Sequence, residues 1–223
     1  MIIRFFYFNL TMKQNYFLQK ALSWSTIKRG NKPYAGGISF LPQIMIGNYF
    51  DALATNPNFI YKGMIYNESD NICEAIDNDV MDIAKEMYVS LCNSNVWKVL
   101  LKQKHSFQEE GFGTYVVNGM TIKTKCKLDV YVNSVAIIDL KTTKETTEKK
   151  FLESMIKSGY DKQGVWYLEH YPNVNTFLCI GVSKTAPYDV FTYKFNRNSE
   201  VYLTVKAKID KQVAKLPNLE MYV

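Results

Sequence analysis

The chain has 223 residues, 47% apolar and 22% charged, and its 27 Lys and Arg against 21 Asp and Glu leave a formal charge of +6. This composition excludes a disordered or collagen-like chain, supports one sizeable core, and permits a polyanionic partner without demanding one. The four scattered cysteines (Cys73, Cys92, Cys126, Cys179) include no Cys-x-x-Cys pair, which argues against zinc and fits free thiols in a reducing compartment.

No apolar run reaches the length of a membrane span, so the chain reads as soluble and cytoplasmic with no membrane partner. Residues 1–20 are apolar and aromatic, without a clear period, a basic leader or a small-residue cleavage site. They read as an extra strand or as an N-terminal extension upstream of a start at Met12. Residues 22–28 predict a helix start with Ser23 or Ser25 as N-cap, and residues 31–37 a Pro- and Gly-bearing loop. Residues 41–54 predict a helix carrying Asp51 and ended before Pro57. Apolar spacing predicts a second amphipathic helix over 70–92 and a shorter one over 95–102.

The period then changes from helical to alternating. Residues 112–117, a turn at Asn118-Gly119 and residues 120–132 predict a hairpin, and a third strand follows through Asp139. Residues 151–171 read as helical, residues 175–182 and 190–195 as strands, and residues 199–216 as a closing helix. With no repeat and no linker, the order predicts a single α/β domain over 1–223 with a mixed central sheet flanked by helices.

The chemistry concentrates in residues 127–141, KLDVYVNSVAIIDLK. Asp139 and Lys141 are two apart on a strand and leave the same face, with a second acid at Asp129. Two carboxylates and an ammonium at the end of a buried strand suit metal-assisted phosphodiester hydrolysis: acids to hold Mg²⁺, a lysine to orient water and neutralise charge. The competing reading is a hairpin with surface aspartates. A two-residue turn at Asn133-Ser134 would set Asp129 against Ile138 and send the carboxylates to opposite sides. One metal site therefore requires an odd-length connection or a bulge between Val130 and Ile138. On the next helix, Tyr160, Gln163 and Tyr167 fall at i, i+3 and i+7 on one face. Lys123, Lys125 and Lys127 share the parity of Asp129, as a basic track to the site or as the wet face of a hairpin.

Together these pieces resemble the PD-(D/E)xK nuclease superfamily, and more closely its RecE-like exonucleases of the exodeoxyribonuclease VIII type, known from phages and prophages. Leu22-Ser23-Trp24-Ser25 resembles their N-terminal serine motif, and Gly47 through Asp51 to Leu53 their Gly-x-x-x-(His/Asp)-x-Leu helix. Lys127-Leu128-Asp129 resembles the first acidic strand, Asp139-Leu140-Lys141-Thr142-Thr143 the core, and Gly159-Tyr160 through Gln163 to Tyr167 the glutamine-tyrosine helix. The resemblance implies a restriction-endonuclease-like fold and a Mg²⁺-dependent deoxyribonuclease, with Mn²⁺ able to substitute. It implies that Asp129, Asp139, the Leu140 carbonyl and Asp51 hold the metal and that Lys141 positions the water. Gln163 and Tyr167 would support that lysine or hold the nucleic-acid end, and Thr142 would lie near the scissile phosphate. Tyr160, Lys127, Lys125 and Ser25 complete the candidate DNA contacts.

Relatives often add a glutamate before the first hairpin, and this chain offers both Glu109 and Glu110, which project oppositely on an extended run. The sequence does not choose between them, and Glu110 is carried as the candidate ligand. The implied partners are duplex DNA ends, further copies of the chain in a ring, and a single-strand annealing protein. Two alternatives remain: an endonuclease on the same fold, and a DNA-binding or assembly protein that has lost catalysis.

Overall fold

The alternating stretch that begins at His105 builds a five-stranded sheet of order β4-β5-β6-β7-β8 in the computed structural model, which describes residues 16, 19–30, 42–61, 64–67 and 72–223. The long hairpin is β4 (His105–Val117) and β5 (Met120–Val132), closed at Asn118-Gly119 with both residues at positive φ. That is the conformation an Asn-Gly turn supplies, and its twist matches the strands it joins. β6 (Ala136–Thr143) runs antiparallel to β5 and parallel to β7 (Thr176–Ser183), and β8 (Val190–Asn196) closes the sheet antiparallel. The sheet is thus mixed, as the element order predicts.

Helices cover both faces. On one side lie α1 (Trp24–Lys28), α5 (Glu148–Ser158), α6 (Tyr160–His170) and α7 (Glu200–Val213), packed on a cluster that includes Ile137, Trp166 and Phe177. On the other lie α2 (Pro42–Thr55), α3 (Asn78–Asn93) and α4 (Asn95–Leu101), packed with Ile138, Leu140 and Ile180. Neighbouring residues Ile137 and Ile138 thus enter opposite clusters, because successive strand side chains alternate faces. Ser23 caps α1 by accepting the Thr26 N–H, and Pro42 opens α2, where the missing N–H costs no helical bond. Among the described residues no helix is long and apolar enough to cross a membrane, and Cys92, Cys126 and Cys179 are free thiols.

Two expectations change. The helix predicted over 70–92 begins only at Asn78, because Ile72–Ala75 is a strand, β3, paired with β2 (Met64–Asn67). With β1 (Ile60–Tyr61) these form a small three-stranded sheet that sequence periodicity did not reveal, since its strands are too short to show a period. The helix predicted over 151–171 is broken at Gly159, whose left-handed φ of 74° caps α5 and starts α6 in a new direction. The expected loop over 31–37, and the expected extension over 1–20 apart from Tyr16, Gln19 and Lys20, lie outside the described residues.

Close approach between layers depends on two glycines. A Cβ at Gly181 on β7 would overlap the Phe151 ring of α5, and a Cβ at Gly164 on α6 would overlap the Phe177 ring of β7. Both rings are fully buried and cannot swing away. Gly181→Ala is expected to destabilise the fold by about 1–3 kcal/mol, the usual range for overpacking a tight core, read from the urea midpoint at unchanged slope.

Candidate active site

The site begins with a parity. β5 and β6 pair at Val132 with Ala136, Tyr131 with Ile137 and Val130 with Ile138, so the connection is Asn133, Ser134 and Val135. This is the odd count that two facing carboxylates require, and Ser134 takes the left-handed conformation (φ 56°) typical of such turns. One step further, the register sets Asp129 opposite Asp139, and there the ladder ends. Asp129 Oδ2 instead accepts the Leu140 N–H at 2.7 Å, a side chain replacing a strand partner. Beyond this point β6 follows β7, while β5 takes Leu22 alongside: Leu22 N–H donates to the Lys123 carbonyl (2.8 Å) and Lys125 N–H to that of Leu22 (2.9 Å). The strands fork, and the acids sit in the fork.

Asp139 is 1% exposed, and Lys141 Nζ lies 2.6 Å from its Oδ2 while donating to the Leu140 carbonyl at 3.2 Å. The Lys141 ammonium is the charge partner of that buried oxygen and holds the Asp139 carboxyl down against burial. A third acid, Asp51, arrives from α2 on the other layer. Gly47 lets the helix come close, since a Cβ there would stand 3.3 Å from Thr142 Oγ1, and Asp51 follows one turn later on the same face. Burial pushes the Asp51 carboxyl up to about 8, with the Asp129 and Asp139 charges adding to it and Lys141 opposing. Burial also lifts Asp139 to about 6, against the pull of Lys141. Although burial opposes its charge, Lys141 is held well above its ordinary value by Asp139 and Asp129, so it stays an ammonium.

α6 supplies the opposite wall. Gln163 donates to the Tyr167 hydroxyl, and burial with the charge of Asp139 pushes that phenol upward. Tyr160 presents its ring to two cations, Lys141 Nζ at 5.0 Å and Lys28 Nζ at 5.5 Å. Ser25, bonded to Ser23 (2.9 Å between hydroxyls), lines a polar pocket of about 340 Å³ with Lys28, Lys127, Gln163 and Tyr167.

The remaining predicted residues divide. Glu110 pairs across the hairpin with Lys127 and so shares the face of Asp129, whereas Glu109 points the other way and accepts from Ser106. Glu110 is nonetheless one step along the strand from the acids and is not among the charges that move Asp51 or Asp139. Lys125 departs from expectation as a phosphate contact. Its buried ammonium donates to the carbonyls of Tyr16 (2.6 Å) and Gln19 (2.9 Å), tying the N-terminal segment to the sheet. Gln108 was not anticipated. It falls opposite Asp129 in the β4–β5 register, holds a left-handed φ of 54°, and donates to Thr55 Oγ1 at 2.7 Å. Thr55 in turn donates to the Asp51 carbonyl at 2.9 Å, so Gln108 fastens the end of α2 beside the acids. A left-handed non-glycine facing an acid is the signal, and it is visible only in three dimensions.

The donor set suits a hard divalent cation: carboxylates of Asp129, Asp139 and Asp51, and the Leu140 carbonyl. Among the described residues, no group of three or more His, Cys, Asp or Glu side chains is placed to hold a metal ion by itself. A hard divalent cation can nonetheless be held by one or two carboxylates, with substrate phosphate and water completing its shell.

A family model described as "PDDEXK-like domain of unknown function (DUF3799)" matches residues 39–219. The "Putative exonuclease" of Eubacterium rectale has a crystal structure that superposes with a TM-score of 0.65 at 17% identity, covering 93% of this chain and 85% of that one, and so shares the fold. An alkaline exonuclease from Laribacter hongkongensis aligns over 94% of both chains at 9% identity, but its TM-score of 0.41 is too low to carry weight. No curated protein matches the chain.

The raised carboxyls fix the sign of a pH effect. Asp51, Asp139 and, in the same direction, Asp161 bind protons more tightly folded than unfolded, so stability falls as pH rises from about 4 towards 8. Buried His170, lowered by desolvation, acts oppositely near its ordinary value, one group against three. Metal-free protein is therefore expected to melt at a lower temperature at pH 8 than at pH 5. Added Mg²⁺ should raise the melting temperature more at pH 8, where Asp139 has lost its proton and Asp51 is about half ionised, than at pH 5, where both hold protons; an equal rise at both would contradict the assignment.

Proposed function

Since this chain belongs to the PDDEXK-like domain family, we propose that it is a Mg²⁺-dependent deoxyribonuclease that degrades linear duplex DNA from its ends to expose single strands for recombination. The observation that carries this reading is the placement of Asp129 opposite Asp139, at the point where two strands part, with Lys141 Nζ 2.6 Å from Asp139. Facing carboxylates repel, so they either take up a proton or share a cation. The lysine compensates part of the charge, and Asp51 and Asp139, raised chiefly by burial, hold protons that a bound cation would displace.

In this reading Asp129, Asp139, Asp51 and the Leu140 carbonyl hold the metal, which when bound supplies positive charge to phosphate oxygens and acidifies a water. The hydrogen bond from Leu140 N–H fixes the Asp129 carboxylate, so one oxygen is oriented and the other remains for the cation. Lys141 keeps its proton throughout and donates hydrogen bonds to the attacking water and to the negative charge that builds on phosphorus. Gln163 holds the Tyr167 hydroxyl beside the lysine, and Tyr160 stacks beneath the ammonium without competing for its protons. Lys127, Ser25 and Thr142 flank the acids as candidate contacts to the sugar-phosphate backbone. Such contacts are sequence-independent, as an enzyme that consumes any sequence requires.

The test is digestion of linear and covalently closed circular duplex DNA in Mg²⁺. Linear DNA is expected to be lost and circles spared, with Lys141→Ala and Asp139→Asn each slower by on the order of 10²–10³ or more. Nicked circles would make the protein an endonuclease. DNA binding without cutting in Mg²⁺ or Mn²⁺ would make it a binding protein on a nuclease fold.

A further inference from the structure

A second cavity, of about 600 Å³, opens beside Lys141 and shares no lining residue with the pocket around Ser25. Its walls come from places distant in sequence: Gln43 of α2, the end of β6 with Lys144, the face of α5 with Ser158, Tyr160 of α6, and the turn after β7 with Lys184 and Thr185. The turn is held in place by the backbone, since Lys184 N–H donates to the Thr143 carbonyl at 2.7 Å. Three ammonium groups (Lys141, Lys144, Lys184) and several hydroxyls line this space, and no described lining residue is acidic.

Lys184 is the informative member. It is half-buried, its Nζ lies 3.3 Å from the Gln43 carbonyl, and among the described residues no carboxylate pairs with it. Burial lowers its ammonium, and among the described residues no acidic neighbour offsets the cost. A cation partly withdrawn from water, facing a polar cavity without counter-charge, is matched to an anion that comes from outside. The lining hydroxyls can donate to phosphate oxygens, and the cavity abuts the lysine that faces the scissile bond.

We propose that this cavity is a second phosphate site, in which Lys184 and Lys144, with the Thr185 and Ser158 hydroxyls, hold a backbone phosphate of the DNA strand next to the one being cut. The inference rests on the nuclease reading for the identity of the strand. It goes beyond that reading in giving the enzyme a grip on the far side of Lys141 from the Ser25 pocket. The bound strand then spans both cavities, with the cut between them.

Fluorescence anisotropy of a labelled DNA duplex in EDTA, over a range of salt, separates the possibilities. Lys184→Gln is expected to weaken binding about tenfold and to reduce the slope of log K against log salt by about 0.9, the signature of one lost phosphate contact. Lys144→Gln should do likewise, Lys184→Arg should retain both, and Lys98→Gln, on an exposed helix elsewhere, should change neither. Unchanged affinity and slope in Lys184→Gln and Lys144→Gln, with cutting of linear DNA intact in wild type, would overturn the site and leave the nuclease reading standing. Loss of the slope in a protein that never cuts would support the site and remove the nuclease. Calorimetric titration of inorganic phosphate completes the comparison: binding that Lys184→Gln abolishes, with duplex affinity unaltered, would mark a free-anion site and overturn the assignment to a strand.

Discussion

Everything at the candidate site depends on the three residues between β5 and β6. Strand side chains alternate, so one residue more or fewer in that turn would send Asp129 to the opposite face from Asp139. With Asn133, Ser134 and Val135 in the connection, the acids face each other, and the ladder cannot continue past them. The Asp129 side chain then takes the Leu140 N–H, and β5 pairs with Leu22 instead. A fork results. It interrupts the sheet at the acids, and it brings the segment of residues 22–25 alongside β5.

The fork also lies where the two helical layers converge on one set of charges. α2 contributes Asp51 from one layer and α6 contributes Tyr167 from the other, and both act on Asp139 or are acted on by it. Each helix reaches that position because a glycine removes the side chain that would hold it away: Gly47 against Thr142, Gly164 against Phe177. Packing and electrostatics are therefore one problem here. The dense core that excludes water raises the carboxyl values, and the same exclusion strengthens every charge placed at the fork. Gln108 and Thr55 belong to this economy of position: Gln108 holds Thr55, and the Thr55 hydroxyl reaches both the carbonyl (2.9 Å) and the carboxylate (3.4 Å) of Asp51 at the end of α2.

The lysines show how little a charge says until its surroundings are known. Lys125 and Lys127 are two apart on one strand face, yet the first is buried on the carbonyls of Tyr16 and Gln19 and serves as a structural tie. Lys141 is paired with an acid and keeps its proton. Lys184 is half-buried, donates to the Gln43 carbonyl, and has no carboxylate partner among the described residues. Identical side chains thus become anchor, catalyst candidate and anion receptor according to what faces them.

The sequence by itself determined the local elements and the order of the chemical groups. Asn118-Gly119 dictated the long hairpin, the β-branched runs dictated β5 and β6, and the spacing of Asp139 and Lys141 put them on one face. If the two acids were to meet, it also required an odd connection or a bulge, because parity is a counting rule that needs no coordinates; the structure took the odd connection. Tertiary structure alone decided the rest. Ile72–Ala75 became a strand because it found Met64–Asn67 as a partner, although its own period read as helix. Glu110 rather than Glu109 took the face of the acids through the register of β4 on β5. Lys125 was withdrawn by the N-terminal segment, and Gln108 and Lys184 were brought to the site from β4 and from the turn after β7. The reason is physical: a period reports how a segment's own backbone repeats, whereas burial, register and partners are set by contacts between residues far apart in the chain.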